Sequence, residues 1–172
     1  TGILGQLNIT STGGNVWVRS MADGGDVRIE ATGAVVLGSR AAASGPADTT
    51  IEADTLSVKA GAEITVFEAD GVDINQIWST SQSPITVLAG GDLALNADIS
   101  TSGHAIDLST SVGALTLNGV LSTGGGSVSL QAASGVTLTE LSGVTTQGGT
   151  VVVDAGDAAL LMAKFAVIDA SG

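Results

Sequence analysis

Apolar and polar residues alternate in short runs along the chain, and glycine-rich turns separate the runs. In the stretch LSTGGGSVSLQAASGVTLTE, Val128 and Leu130 fall on one face of a strand, and Val136 and Leu138 repeat the pattern after the turn QAASG. Alternation with a period of two is typical of a strand with one buried face. The pattern predicts two short strands here, followed by a third, very short strand around Val144.

The same cycle recurs at a nearly constant spacing. Cycles begin at positions 85, 106, 128 and 151, and two earlier, longer cycles begin at positions 27 and 56. Repeats of this length without a helical period between them indicate a solenoid. We predict an all-β fold, a parallel β-helix with three short strands per coil of about 21–29 residues and roughly seven coils. The general rule for parallel crossovers makes the expected β-helix right-handed.

Two parts of this prediction have alternatives. An antiparallel sandwich also contains many short strands, but it predicts hairpin turns and no fixed three-strand cycle. The stretch GDAALLMAKFAVIDA has the propensity of an amphipathic helix, and we interpret it as the second and third strands of a last coil. The third strands of the preceding cycles are placed at Ile99, Val120 and Val144.

The chain is predicted to be a single β-solenoid segment, with longer, loop-bearing coils in residues 1–84 and regular short coils in residues 85–172. Two excursions, Gly38 to Thr50 and Phe67 to Ser83, are expected to protrude as loops, where repeat proteins place recognition. The second contains Trp78, Ser79 and Thr80, a group that could stack on a sugar ring. In the alternative interpretation, Trp78 covers a coil edge or packs inward.

Composition agrees with a thin, regular interior. Four residues of 172 are aromatic and 25 are glycine, so the core must consist of small aliphatic side chains in layers. The net charge of -12 repels phosphate backbones and anionic lipids, so we expect no nucleic-acid partner and no membrane insertion. The absence of cysteine excludes disulfides and zinc–thiolate sites.

One group of acidic residues is a candidate metal site. Glu68, Asp70 and Asp73 in EADGVDIN are oxygen donors beside a glycine, which suggests calcium. The EF-hand spacing is absent, and the calcium-binding nonapeptide GGxGxDxUx is matched only in fragments. We predict no cofactor, with calcium at these three residues as the alternative.

Catalytic signals are sparse. His104 is the only histidine, so no nucleophile and base can be paired by sequence, and the five basic residues are scattered. Polysaccharide-degrading enzymes also use β-helices, and they bring carboxylates together across a groove. We predict that the chain is not an enzyme and keep a polysaccharide-binding or polysaccharide-degrading protein as an alternative.

The pattern V-x-L-x-A-x-G-x-L-x-L followed by a T-x-GG turn, clearest between Pro84 and Val153, resembles the haemagglutinin-type repeats of large bacterial surface proteins. These are the filamentous-haemagglutinin-like exoproteins of two-partner secretion and the passenger domains of autotransporters. The resemblance implies a cell-surface or secreted location in a Gram-negative bacterium and a β-helical shaft that supports adhesion, aggregation or filament building. It also implies a host receptor or glycan as partner.

The opening residues TGILGQLNIT have no signal-peptide pattern, and we expect the chain to be a piece of a longer protein. Open coil edges are templates for strand pairing. The expected partners are therefore neighbouring coils of the same long chain or end-to-end copies of the unit in an extracellular filament.

Overall fold

A computed structural model describes residues 6–19, 21, 25–38 and 51–172 of the chain. Every named element in these ranges is a β-strand. The first predicted excursion, Gly38 to Thr50, lies outside the described residues except for Gly38.

The first eight strands follow one another with two strands to a coil. They are β1 (Leu7–Ser11), β2 (Val16–Val18), β3 (Asp26–Ala31), β4 (Val35–Leu37), β5 (Thr55–Ala60), β6 (Ile64–Glu68), β7 (Val72–Ser79) and β8 (Ile85–Ala89). The later coils have three strands each. These strands are β9 (Leu93–Leu95), β10 (Ile99–Ser100), β11 (Ile106–Thr110), β12 (Leu115–Leu117), β13 (Val120–Ser122), β14 (Val128–Gln131), β15 (Val136–Leu138), β16 (Gly143–Thr145), β17 (Val151–Asp154), β18 (Leu160–Met162) and β19 (Val167–Asp169).

Within the described ranges the strands form three parallel sheets that run along the solenoid. Sheet A has the order β1-β3-β5-β7-β9-β12-β15-β18, sheet B has β2-β4-β6-β8-β11-β14-β17, and sheet C has β10-β13-β16-β19. Each strand pairs with its equivalents in the coils before and after it. The prediction of a parallel β-solenoid of about seven turns is confirmed, and its third strand per coil is present from β10 onward. The last coil forms β18 and β19 where a helix was the alternative.

Equivalent apolar side chains stack on each other inside the coils. In sheet B, Ile85, Ile106 and Val128 are paired in register and have no exposed surface. In sheet A, Leu117 and Leu138 stack in the same way. Each such side chain contributes about 1.5–3 kcal/mol by leaving water, so the repeated layers supply the main stabilising term.

Buried threonines close the turn between sheets C and B. Thr101, Thr123 and Thr146 occupy equivalent positions, and each Oγ donates a hydrogen bond of 2.5–2.6 Å to the carbonyl oxygen three residues later. Two residues after each threonine stands a glycine with positive φ, for example Gly125 at 111° and Gly148 at 94°. Glycine adopts this conformation at little steric cost, which explains the T-x-G pattern of the sequence.

The cross-section of the solenoid changes between β7 and β9. β7 is a single strand of eight residues, whereas the next coil divides the same path into β9 and β10 at a corner. A ladder of amides marks this corner, because Asn96 Nδ2 donates to Asn75 Oδ1 at 3.1 Å and Asn118 Nδ2 donates to Asn96 Oδ1 at 2.7 Å. Sheet C begins here.

The structure corrects the predicted excursion Phe67 to Ser83. These residues are not a protruding loop, because Val72–Ser79 form β7 inside sheet A, between β5 and β9. Ile64 pairs with Ile85 just as Ile85 pairs with Ile106, so this coil is as short as the regular one that follows it. The strand at position 56 therefore belongs to sheet A, whereas the strand at position 85 belongs to sheet B, and the two are not equivalent strands of successive coils. The prediction was wrong because the alternation in β7 is interrupted by a bulge at Asn75.

A second correction concerns sheet C. Val120 is 38% exposed, and Leu121 is the residue that pairs with Ile99 and Val144 and faces the core. The backbone N–H of Val120 donates instead to Asp98 Oδ1 of the preceding coil at 2.8 Å. Because Val120 and Leu121 are both apolar, the sequence pattern allows either of them to face the core. Pairing with the neighbouring coils places Leu121 in the core.

Candidate functional site

A row of polar and aromatic side chains crosses three coils on the outer face of sheet A. Glu30, Lys59 and Trp78 come from β3, β5 and β7, and pairing places Lys59 next to both others. Lys59 Nζ lies 2.7 Å from Glu30 Oε1 and 5.5 Å from the centroid of the Trp78 ring. A cation at this distance over an indole ring is attracted by its π electrons.

Glu30 neutralises the charge of Lys59 on one side, and the Trp78 ring contacts Lys59 on the other. The hydrogen bond from Lys59 lowers the pKa of the Glu30 carboxyl, and the positive charge acts in the same direction. Both side chains remain more than a third exposed, so water screens the pair and it contributes little to stability. Its structural effect is to hold Lys59 against one side of Trp78.

A groove lies on the side of Trp78 that faces the later coils, where the path of β7 is followed by β9 and β10 in the next coil. Its volume is about 260 Å³. Side chains and backbone from three successive coils line it, including Trp78, Gln82, Asp98, Ser100, Val120 and Ser122. Trp78 is 49% exposed, so a large part of the ring is accessible.

The three predicted ligand-contact residues therefore have different positions. Trp78 and Thr80 are on the surface, and Trp78 lies on a strand instead of a loop. Ser79 is fully buried, and its Oγ donates to the carbonyl oxygen of Ala62 at 2.7 Å. Ser79 cannot touch a ligand at the surface, because a strand directs consecutive side chains to opposite faces.

The three predicted calcium ligands do not form one site. Glu68 faces the interior with 2% of its surface exposed, whereas Asp70 and Asp73 are exposed. The Glu68 oxygens accept backbone hydrogen bonds from Ala53 at 2.7 Å and from Asp70 at 2.9 Å. In the described part of the chain, no group of three or more acidic or histidine side chains is placed to hold a metal ion.

Glu68 has a structural position instead. It ends β6 and fixes the segment at Ala53, and Ala69 beside it donates to the carbonyl oxygen of Ile51 at 2.9 Å. Burial raises the pKa of Glu68 to about 8, the two backbone donors lower it in part, and the neighbouring Asp70 carboxylate raises it further. A carboxyl group with this pKa is protonated at neutral pH and binds its neighbours without a buried charge.

His104 lies at the turn between β10 and β11 and is exposed, and its carbonyl oxygen accepts the hydrogen bond from Thr101. Sequence reasoning missed Lys59, which contacts the Trp78 ring, and the groove residues Asp98 and Val120. Sequence separation offers a partial signal for Lys59, since residues about one coil apart become neighbours. To identify Lys59 as the neighbour of Trp78 from sequence, one must already know which residues of β5 and β7 pair.

Comparisons with protein-family models, curated proteins and solved structures find no match to this chain. The resemblance to haemagglutinin-type repeats therefore stays a prediction. The described residues contain no helix long and apolar enough to cross a membrane.

Proposed function

We propose that this chain is a structural segment of a β-helical shaft, part of a large bacterial cell-surface or secreted protein that supports adhesion or aggregation. The proposal assigns the chain a mechanical role and no catalytic one. The observation that carries it is the uniformity of the stacked interior from β8 onward, where each coil repeats the layer below it with the same register. The resemblance of the repeat pattern to haemagglutinin-type repeats supports the same role.

The coil formed by β17, β18 and β19 has exposed apolar side chains at core positions. Leu160 and Met162 pair with Val136 and Leu138, which are fully buried, yet they are 42% and 46% exposed. They occupy core positions whose outer side is uncovered. Together with the free backbone edge of these strands, they form a surface on which a further parallel coil fits.

End-to-end stacking of identical copies fits this surface less well. β2 follows β1 after residues 12–15, so the first coil passes from sheet A to sheet B without a strand of sheet C. A copy placed head to tail would leave β19 facing this turn, without a described strand to pair with. We therefore favour a continuing solenoid over a filament of copies.

The ability of the edge formed by β17, β18 and β19 to pair with a further coil can be tested by adding one. A second copy of residues 126–148 appended after Gly172 would place copies of β14, β15 and β16 over β17, β18 and β19. We expect a higher midpoint of urea unfolding and reduced binding of a hydrophobic dye. An appended scrambled sequence of the same composition is the control, and equal behaviour of the two extended chains would contradict the proposal.

The proposed location is tested separately. Antibodies raised against the purified chain are expected to label intact cells of the organism that makes the protein, or its culture supernatant. Labelling that requires permeabilised cells would contradict an extracellular role.

A further inference from the structure

The groove beside Trp78 is distinct from the stacked interior and from the uncovered coil edge. It exists because only Val72–Ile74, at the start of β7, pair with β9. The second half of β7 consequently has no ladder partner on that side among the strands the structure describes. Backbone polar groups of this half border the groove, where they are available to hydrogen-bond water or a ligand.

The groove combines an apolar floor with a polar rim. The indole of Trp78 and the side chain of Val120 are both exposed, at 49% and 38% of their surfaces. Gln82, Asp98 and Ser100 are exposed beside them. Ligand sites typically pair apolar and aromatic surface with a few polar groups that set the orientation of the ligand.

We propose that this groove binds one neutral hexopyranose ring of a glycan, stacked on Trp78. A pyranose ring has a face of C–H groups that suits an indole and a rim of hydroxyls that suits carboxylate, amide and hydroxyl partners. The volume of about 260 Å³ lies just below the roughly 300–1,000 Å³ of sites for drug-sized ligands, so a single ring is the appropriate size.

Lys59 prepares the platform. It comes from the preceding coil, whereas Asp98 and Val120 come from later coils, so the Trp78 ring stands between the cation and the groove. The contact with Lys59, itself held by Glu30, restrains the ring. A restrained aromatic side chain loses less conformational entropy on binding than a free one.

Charge selects a neutral sugar over an acidic one. Asp98 lies in the groove, and the nearby cation Lys59 is already paired with Glu30. The whole chain carries a net charge of -12. A uronic acid would meet like charge, whereas the hydroxyls of a neutral ring meet hydrogen-bond acceptors.

An extended peptide fits this groove less well. Strands in a sheet lie about 4.8 Å apart, so a strand inserted between β7 and β10 would need them roughly 9.6 Å apart. Cα atoms of these two strands approach to within 8 Å. This approach disfavours an added strand between β7 and β10, whereas a single ring can lie on the surface above them.

Saturation-transfer difference NMR tests the proposal with the methyl glycosides of glucose, galactose, mannose and N-acetylglucosamine, and with methyl glucuronide as the charged probe. We expect at least one neutral glycoside to bind with a dissociation constant on the order of 1 mM, the scale of a weak single-ring contact. Methyl glucuronide is expected to bind at least fivefold more weakly than that glycoside.

Trp78→Ala should weaken the binding at least tenfold, and Trp78→Phe should retain part of it. Trp17→Ala is the matched control, because Trp17 is also an exposed tryptophan beside a cation, Arg19, but lies on β2 in sheet B. Circular dichroism verifies that each variant is folded. Absence of binding by all neutral glycosides, equal loss in Trp17→Ala, or equal binding of the glucuronide would overturn the proposal. Because the readout is ligand binding, these results are independent of the proposed shaft role.

Discussion

Ile64 pairs with Ile85 in sheet B, and both side chains are buried although a whole coil of chain separates them. This relationship makes the intervening residues one complete coil, with β7 as its strand in sheet A. The same frame then continues through Ile106 and Val128. A coil is thus the unit in which residues can be added to or removed from this fold.

Removal of one whole coil should preserve the fold. Deletion of residues 106–127 brings β14 onto β8, β15 onto β9 and β16 onto β10, with each core position matched by an equivalent one. We expect a folded chain with an unchanged β-sheet circular dichroism shape and a rod shorter by about 4.8 Å in small-angle X-ray scattering. Deletion of residues 106–116, half a coil, is the control and should not fold. A folded half-coil deletion would show that the register described above is wrong.

Charge inside the stack should be far more damaging than charge outside it. Val136→Asp buries a carboxylate among aliphatic side chains, and we expect the free energy of unfolding to fall by more than about 4 kcal/mol. Thr137→Asp makes the same change on the next residue, which faces outward, and should alter stability by less than about 1 kcal/mol. Urea unfolding followed by circular dichroism measures both. Similar losses in the two variants would refute the assignment of Val136 to the interior.

The buried turn threonines should stabilise the corner through their hydroxyls. Thr123→Val keeps the shape of the side chain but leaves the carbonyl oxygen of Gly126 without its 2.5 Å partner, so we expect a loss of about 1–3 kcal/mol. Thr116→Val is the matched control, because Thr116 is a half-buried strand residue on the outer face. Its substitution should change stability by less than about 0.5 kcal/mol. An equal effect at both positions would argue against a specific role of the hydroxyl.

The buried carboxyl of Glu68 should make stability depend on pH. Its pKa is raised from 4.5 to about 8 in the folded chain, so the folded state holds a proton that the unfolded state releases. The resulting stabilisation is complete below about pH 4.5, decreases as the pH rises, and is lost above about pH 8, with a total change of at most about 5 kcal/mol.

Glu68→Gln removes the titration and imitates the protonated group. The difference in unfolding free energy between wild type and this variant should therefore change steadily between pH 5 and pH 8, with wild type losing relative stability. Glu63→Gln removes an exposed carboxylate just before the same strand and serves as the control, since Glu68 stays in place in this variant. A pH-independent difference for Glu68→Gln would mean that Glu68 is ionised in the folded chain.

Much of the fold could be predicted because its regular coils repeat a strict alternation. Val128, Val136 and Val144 each lie in a strand and face the core as predicted. The prediction was wrong where alternation was locally ambiguous. A bulge at Asn75 puts two polar residues in succession in β7, which made a strand look like a loop and shifted the phase of the two preceding cycles.

The candidate site was predictable only in its central residue. Trp78 is conspicuous in a chain with two tryptophans. Lys59, which contacts its ring, and Asp98, which lines the same groove, come from different coils. The inward direction of Glu68 also depends on the phase of β6. These placements required the register between coils, which a local pattern does not contain.

Electron microscopy of the purified 172-residue chain over a wide range of concentrations tests the central claim most directly. A shaft segment of about seven coils should appear as a short rod on the order of 30 Å long, without head-to-tail growth, because β19 has no described counterpart in the first coil. Long unbranched fibres with a repeat equal to the length of one molecule would contradict this account and would make the chain a filament subunit.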